Sequence, residues 1–467
     1  MRRGRSLREY RSQNLRTKKI LTLAERRKIA QDRLVDRKRK KVIIKGPPTE
    51  IVVLSDHLEL SDDKPTLRHH ANSRAEIRRR QRASMRQAIN KGLRHKGPPR
   101  DYTTIPSHSP LSLNFLPFDS FVPTKHLKIC HVIESLGLGG AQTMMAELVG
   151  GLNTYFGENT ENYIVALSPK KQKPPGRLFA SYNTSYLWIP NADFRQFLID
   201  NRIDVVLHHR IAISKPLQKY LPEGVKYVLL NHTWNSINRI RDFMDCDAYV
   251  SVCSFLEDKT KWDQHIHDTR KLVVLNGIEN NYIKDIEAKD ITGGFKTGRC
   301  HRMVSAKFRA DSLTWMNKRI SKTIPGFHHH LIGTHKEAKA VANKYKWFTY
   351  HGTITDRNHK MGIIKQLDAY FYETFGDEGA SIAVLEALAS GVPVLASARG
   401  GTPELVLNGT NGFLCKDRTL FEIRLKQLAS GKFPDLRDKT LIDFEERLHV
   451  RHTACKYVQL FEKLTDE

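Results

Sequence analysis

The stretch DEGASIAVLEALASGVPV, residues 377 to 394, decides how the chain is read. Seven of the eight residues from Ile382 to Ala389 are apolar, so the spacing predicts a helix buried on nearly every side. Glu386 stands among them. A buried carboxylate is costly unless a basic group or a ligand hydrogen-bonds it, so this glutamate is the first candidate for chemistry.

Working outward, DAYFYE reads as a strand that enters the helix through the small residues Gly379, Ala380 and Ser381. A strand that turns into a helix this way leaves unpaired amides at the helix tip, a natural seat for phosphate. Glu386, about two turns further on, suits a vicinal diol such as a ribose, because a carboxylate offers two acceptor oxygens. Glu378 precedes it by eight residues and sits toward the opposite end of such a ligand. VPVLAS then forms the next strand. Gly400 and Gly401 permit a tight loop, and Glu404 opens a short helix. Open α/β sheets bind ligands at the carboxyl ends of their strands, where both glutamates and this loop fall.

From Leu127 onward, short apolar strands alternate with helices. LKICHVI (127 to 133), NYIVAL, the IDVVLHH core from Ile203, KYVLLNH, AYVSV and KLVVL form one series. RMVSA, HHLIG, WFTYHG, AYFYE, VPVLAS and GFLC form a second. This alternation predicts two doubly wound parallel sheets. The expected division is a basic extension over 1–123, a first Rossmann-like domain over 124–290, and a second over 291–467. A helical region from about 436 to 464 is expected to return to the first domain.

The stretch from Glu378 to Phe413 resembles the signature of family 4 retaining glycosyltransferases of the GT-B fold: two glutamates eight apart, then small-Gly-x-Pro-Val and Gly-Gly-x-Pro-Glu. GLGGAQTMMAEL (137 to 148), LLNHTW, VSVCSF and VVLNGIE are similar to further family segments in the right order, so the resemblance covers about residues 127 to 467. It implies two Rossmann-like domains facing across a cleft and a sugar transfer from a nucleotide-sugar donor. Glu386 would hold the ribose and Glu378 would sit by the donor sugar. Gly139 and Gly140 would let the backbone approach the diphosphate, and His232 would reach the sugar from the facing domain. The family usually grips the diphosphate with an Arg and a Lys, and VSAKFRADSLTWMNK offers Lys307 and Arg309, with Ser312 at a position where a lysine is expected. Neither a metal nor another cofactor is implied, since amides and basic side chains stabilise the leaving diphosphate.

Residues 1 to 100 hold 30 Lys and Arg against 10 Asp and Glu, whereas the remaining residues hold 47 against 40. Arg78, Arg79, Arg80, Arg82 and Arg86 lie on a helical stretch that presents charge to several sides, with Ser73 and Gly92 as its expected ends. Such an arm suits a polyanion, DNA or RNA above all, through phosphate contacts that carry no sequence choice. It extends the expectation to a nucleic-acid acceptor, for example a hydroxylated DNA base. A glycan or lipid-linked acceptor is one alternative. A non-catalytic protein of the same fold, recruited into a nucleoprotein particle, is another.

Six cysteines without a C-x-x-C pair imply reduced thiols and a cytoplasmic, reducing compartment. The Arg- and Ser-rich start with few acids also fits mitochondrial import. No run reaches the ~18 apolar residues of a membrane span. His208, His209 and the run His328 to His330 are read as structural, and Asp245 and Asp247 as a solvated turn. Oligomeric state is not legible.

Overall fold

The computed structural model describes residues 111, 113–134, 136, 139–167, 186–210, 217–232, 246–260, 270–287, 291–300, 307–333 and 336–467. They form two parallel sheets. The first lobe contains β1 (Leu127–Ile133), α1 (Gly140–Tyr155), β2 (Thr160–Ala166), β3 (Leu187–Trp188), α2 (Phe194–Asp200), β4 (Val205–Arg210), β5 (Lys226–Asn231), β6 (Ala248–Ser251), α3 (Ser254–Thr260) and β7 (Lys271–Val273), followed by α4 (Asn281–Asp285). Its strand order is β3-β2-β1-β4-β5-β6-β7.

The second lobe contains β8 (Phe295–Cys300), α5 (Ala310–Arg319), β9 (Phe327–Ile332), α6 (Lys336–Ala342), β10 (Phe348–Gly352), α7 (Arg357–Ile364), β11 (Ala369–Tyr372), α8 (Ile382–Ala389), β12 (Val394–Ser397), α9 (Thr402–Leu405), β13 (Gly412–Cys415), α10 (Arg418–Ala429) and α11 (Leu436–Asp443). Its order, β10-β9-β8-β11-β12-β13, repeats the same pattern: the first strand of each lobe lies centrally and the chain winds outward to both sides. A sheet of this kind is buried on both faces. That is why β4 and β5 are buried at nearly every position rather than at every second one.

Three aspartates set where neighbouring strands begin. Asp204 Oδ2 accepts from Lys128 N at 2.8 Å, Asp247 Oδ2 from Tyr227 N at 2.7 Å, and Asp368 Oδ2 from Lys296 N at 2.6 Å. Each aspartate also donates its own amide to the partner residue's carbonyl, so a side chain extends the ladder by one rung. Asp247, expected in a solvated turn, is thus a strand-end clamp; Asp245 lies outside the described residues.

The first strand of the second lobe also departs from the sequence reading. It is Phe295–Cys300, not RMVSA at 302 to 306, which lies outside the described residues. The polar run FKTGRC hides its strand character because its requirements are steric. A Cβ on Gly298 would stand 2.9 Å from both His330 O and Leu367 Cδ1, and Arg299 is buried between Phe308 and Tyr372.

The final helix, α12 (Val450–Asp466), packs against α1, and its Tyr457, Val458, Phe461 and Leu464 complete the core of the first lobe. Residues 113–123, read from sequence as the end of the extension, lie on the same helix: Leu116 N donates to Gln459 Oε1 at 2.8 Å and Leu116 O accepts from Gln459 Nε2 at 3.0 Å. The chain crosses between lobes at Asn276–Glu279 and returns beside it, with Ile278 bridged to His449. Gly277 is required there, since its Cβ would stand 2.7 Å from Thr453 Oγ1.

Candidate active site

The helix that opened the sequence analysis is α8. Val384, Leu385, Ala387 and Leu388 sink into the core of the second lobe, and each fully buried leucine contributes about 1.5–3 kcal/mol of burial. Glu386 is buried with them at 4 % exposure. Its partner is Lys360 of α7, whose Nζ lies 2.5 Å from Glu386 Oε1. Burial alone would lower the Lys360 pKa, but the Glu386 charge outweighs it and the ammonium is held above its ordinary value. Oε2 of Glu386 takes no partner among the described residues.

Glu378 lies on the turn before α8. Its Oε1 faces Lys307 Nζ at 2.8 Å, and its Oε2 accepts from the Tyr372 hydroxyl at 2.8 Å. Tyr372 also lies 3.0 Å from Oγ of Ser381, the residue that begins α8. Burial, then the Glu378 charge, raises the Tyr372 phenol above its ordinary pKa, so it stays a donor. Arg299 organises the same wall from beneath, donating to Glu373 O at 2.8 Å and to Lys307 O at 3.0 Å.

The structure therefore brings Lys307, Glu378 and Ser381 together. Arg309, at the N-terminus of α5, stacks its guanidinium 4.1 Å from the Phe375 ring centroid. Ser312 is fully buried and donates to Glu373 Oε2 at 2.5 Å. Arg418 closes this group, with Nε 2.6 Å from Glu373 Oε1 and Nη2 3.1 Å from Ser312 Oγ. A guanidinium thus stands beside the serine where a lysine is expected.

The facing lobe meets this wall through the glycines. A Cβ on Gly379 would stand 3.0 Å from Leu256 Cδ1 and 3.3 Å from His232 O. A Cβ on Gly401 would stand 2.7 Å from Cys253 Sγ. Gly400 adopts φ +56°, where a Cβ would overlap the Glu378 carbonyl, and Gly401 N donates to that carbonyl at 2.8 Å. Glu404 reaches across to the first turn of α3, accepting from Ser254 N at 2.8 Å and Phe255 N at 3.1 Å. His232, just past β5, lies beside Gly379 and bonds His209 Nδ1 through Nε2 at 3.2 Å. Burial pushes its pKa down to about 3, so the ring is neutral at physiological pH. His209, read as structural from sequence, is its direct partner. His208 instead bonds Tyr227 and Glu134.

Gly139 and Gly140 mark the start of α1, with no side-chain cap, and a Cβ on Gly140 would meet nothing within 4 Å. Ala380 lies between Gly379 and Ser381, its carbonyl 3.5 Å from Asn276 Nδ2 of the lobe crossing. The arginines at 78, 79, 80, 82 and 86 lie outside the described residues. No group of three or more His, Cys, Asp or Glu suited to a metal occurs among the described residues, nor any helix long and apolar enough to cross a membrane.

Lys360, Arg418, Glu373 and Tyr372 escaped sequence reading. Lys360 sits five residues before another lysine, Lys365, on the same segment, and nothing in DRNHKMGIIKQLD separates the buried one from a solvated one. Tyr372 ends the strand leading to Glu378 and Glu373 follows it directly, a position that could have singled them out.

Residues 302–430 match the family model described as glycosyl transferases group 1. An uncharacterised glycosyltransferase of Methanocaldococcus jannaschii is 24 % identical over 220 residues, covering 44 % of this chain and 55 % of that protein, so the match spans about half of the relative. Among solved structures, a glycosyltransferase from Rickettsia africae aligns over 73 % of this chain and 98 % of its own with TM-score 0.58 and 12 % identity. Anabaena HepE, solved with UDP, aligns over 72 % and 100 % with TM-score 0.55 and 14 % identity. The pneumococcal O-GlcNAc transferase GtfA, solved with UDP and GlcNAc, aligns over 73 % and 100 % with TM-score 0.57 and 10 % identity. The fold is GT-B, two Rossmann-like lobes, and the group 1 glycosyl transferase resemblance holds over the segment that carries both glutamates.

Proposed function

We propose that the protein transfers a sugar from a nucleoside-diphosphate sugar to an acceptor hydroxyl with retention at the anomeric carbon. The observation that supports this best is Glu386: a carboxylate on a buried helix, oriented through one oxygen by Lys360, with its second oxygen unpartnered among the described residues. That oxygen is the acceptor for the donor's ribose. The amides of Gly379, Ala380 and Ser381 at the tip of α8 hold phosphate, with Lys307 and Arg309 as the nearby cations. Glu378 accepts from the donor sugar, and His232 meets that sugar from the facing lobe. In the transfer, the bond from the anomeric carbon to the diphosphate oxygen breaks, the acceptor oxygen bonds that carbon on the same face, and its proton leaves with the diphosphate. HepE has been solved with UDP-glucose, which makes UDP-sugars the first donors to try.

The test is a thermal-shift screen of nucleotide-sugars followed by a nucleoside-diphosphate release assay. At least one donor is expected to bind and turn over; neither binding nor release with any donor rejects the reading. Glu386→Ala is expected to weaken donor binding by about 1.5–3 kcal/mol, the usual contribution of a hydrogen bond to a charged group. Unchanged affinity removes Glu386 from the site.

A second reading draws on the charge of residues 1 to 100 and on Ser312 at the expected lysine position: a nucleic-acid-binding protein of the same fold, or a transferase whose acceptor is nucleic acid. Binding to DNA or RNA that falls steeply with salt and disappears on deleting residues 1–100 supports it. Donor binding by the same protein separates the transferase from the non-catalytic form.

A further inference from the structure

The first sheet carries a chain of hydrogen bonds that runs across four adjacent strands and ends at His232. Its direction is set at a backbone carbonyl. Thr160 Oγ1 donates to Phe156 O at 3.1 Å, so its lone pairs must receive Asn162 Nδ2 at 3.0 Å. That fixes the amide of Asn162 with Oδ1 toward His131 Nε2, 3.1 Å away. An amide oxygen only accepts, so His131 carries its hydrogen on Nε2 and presents Nδ1 as a lone pair. His209 Nε2 lies 3.2 Å from that Nδ1 and must donate to it. His209 Nδ1 is then bare, and His232 Nε2, 3.2 Å away, must donate in turn. Each ring hands the same tautomer to the next, and the last lone pair left over is Nδ1 of His232.

The neutral state this ordering needs is the one the protein enforces. His131 and His209 are fully buried. Burial lowers His131 to about 4 against the bond from Asn162, drives His209 well below its ordinary value, and lowers His232 to about 3. A proton on Nδ1 of His131 or of His209 would set two donors against each other. His232 alone among the three rings keeps partial exposure, beside Gly379 of the opposite lobe.

We propose that His131 and His209 are positioning residues that lock His232 as its Nε2–H tautomer, so that its Nδ1 accepts a hydrogen bond from a ligand hydroxyl and disfavours an oxyanion or carbonyl oxygen. The ring order stands on the hydrogen-bond geometry alone, whereas the choice of a sugar hydroxyl as its target rests on the transferase reading above.

Long-range 1H–15N spectra of the full chain labelled with 15N-histidine, at neutral pH without ligand, decide the ring order. All three rings are expected to show a protonated Nε2 and a bare Nδ1. Asn162→Leu, at the partly exposed start of the chain, and His209→Phe are expected to leave His232 as a mixture of tautomers. A His232 protonated on Nδ1 or on both nitrogens in the wild type overturns the proposal, as does an unchanged His232 in both variants. Should His209→Phe fail to fold, the wild-type and Asn162→Leu spectra still decide. Titration with UDP-glucose and with UDP then reads the consequence: His209→Phe is expected to bind UDP-glucose about tenfold more weakly and UDP unchanged. Equal weakening of both contradicts hydroxyl selection. A wild type that binds neither nucleotide rejects the transferase reading, while the spectra still judge the ring order.

Discussion

At the scale of single residues, the Lys360–Glu386 pair joins stability to the donor-site role proposed for Glu386. Two opposite charges held off solvent at 2.5 Å gain Coulomb energy and lose hydration, so the pair itself is weak evidence of stabilisation, but removing one partner strands the other. Lys360→Met is therefore expected to destabilise the protein by about 3–5 kcal/mol, because it leaves the Glu386 charge uncompensated on a buried helix. Adding Glu386→Leu should recover most of that loss, and urea unfolding of both single variants and the double variant measures the coupling. Purely additive losses would show that the two side chains do not depend on each other. A carboxylate fixed in this way needs no reorganisation to receive a diol, which is the property a donor site requires.

At the scale of elements, the second lobe comes within reach of the first through short loops whose glycines and acids do different work. Glu404, on the first turn of α9, supplies acceptors for two amides at the start of α3, a helix that belongs to the other lobe. Loss of such a cap costs about 1 kcal/mol. Glu404→Ala is accordingly expected to lower stability by that amount and to speed hydrogen exchange at the amides of Ser254 and Phe255; unchanged exchange there would show that water replaces the carboxylate without loss. The elements themselves were mostly legible, because a doubly wound sheet writes apolar runs between helices, and the glutamate block fixed α8, the glycine loop and β12 together. What was hidden had a physical cause in each case. β8 was missed since Gly298 and Arg299 serve close packing and a buried guanidinium rather than hydrophobic patterning. Lys360 and Arg418 were missed since their partners lie 26 and 45 residues away, on other elements, and a cation's sequence context does not record what it folds against.

At the scale of the whole molecule, the two lobes are joined by a double crossing, and Glu279 sits at its centre. Its Oε2 accepts from Tyr155 of α1 at 2.8 Å, and its Oε1 from the amides of Asn280 and Asn281 at 2.9 Å each. His449, on the returning strand of the crossing, donates Nε2–H to Oε1 at 3.2 Å, since its Nδ1 already accepts from Arg451 N. Burial opposes ionisation, but His449, the Asn281 amide and Tyr155 together outweigh it and hold the carboxyl at about 2, below its ordinary 4.5. A depressed carboxyl pKa contributes stability that is fully present above the unfolded value and is lost as pH falls through the folded one, here from about 4.5 toward about 2. Wild-type and Glu279→Gln proteins should therefore differ most in urea midpoint near neutral pH, with the gap closing steadily below pH 4.5. A gap that stays constant across that range would mean that the Glu279 charge plays no part in holding the crossing, and that Gly277 and the Ile278–His449 bridge set the spacing of the lobes by packing alone.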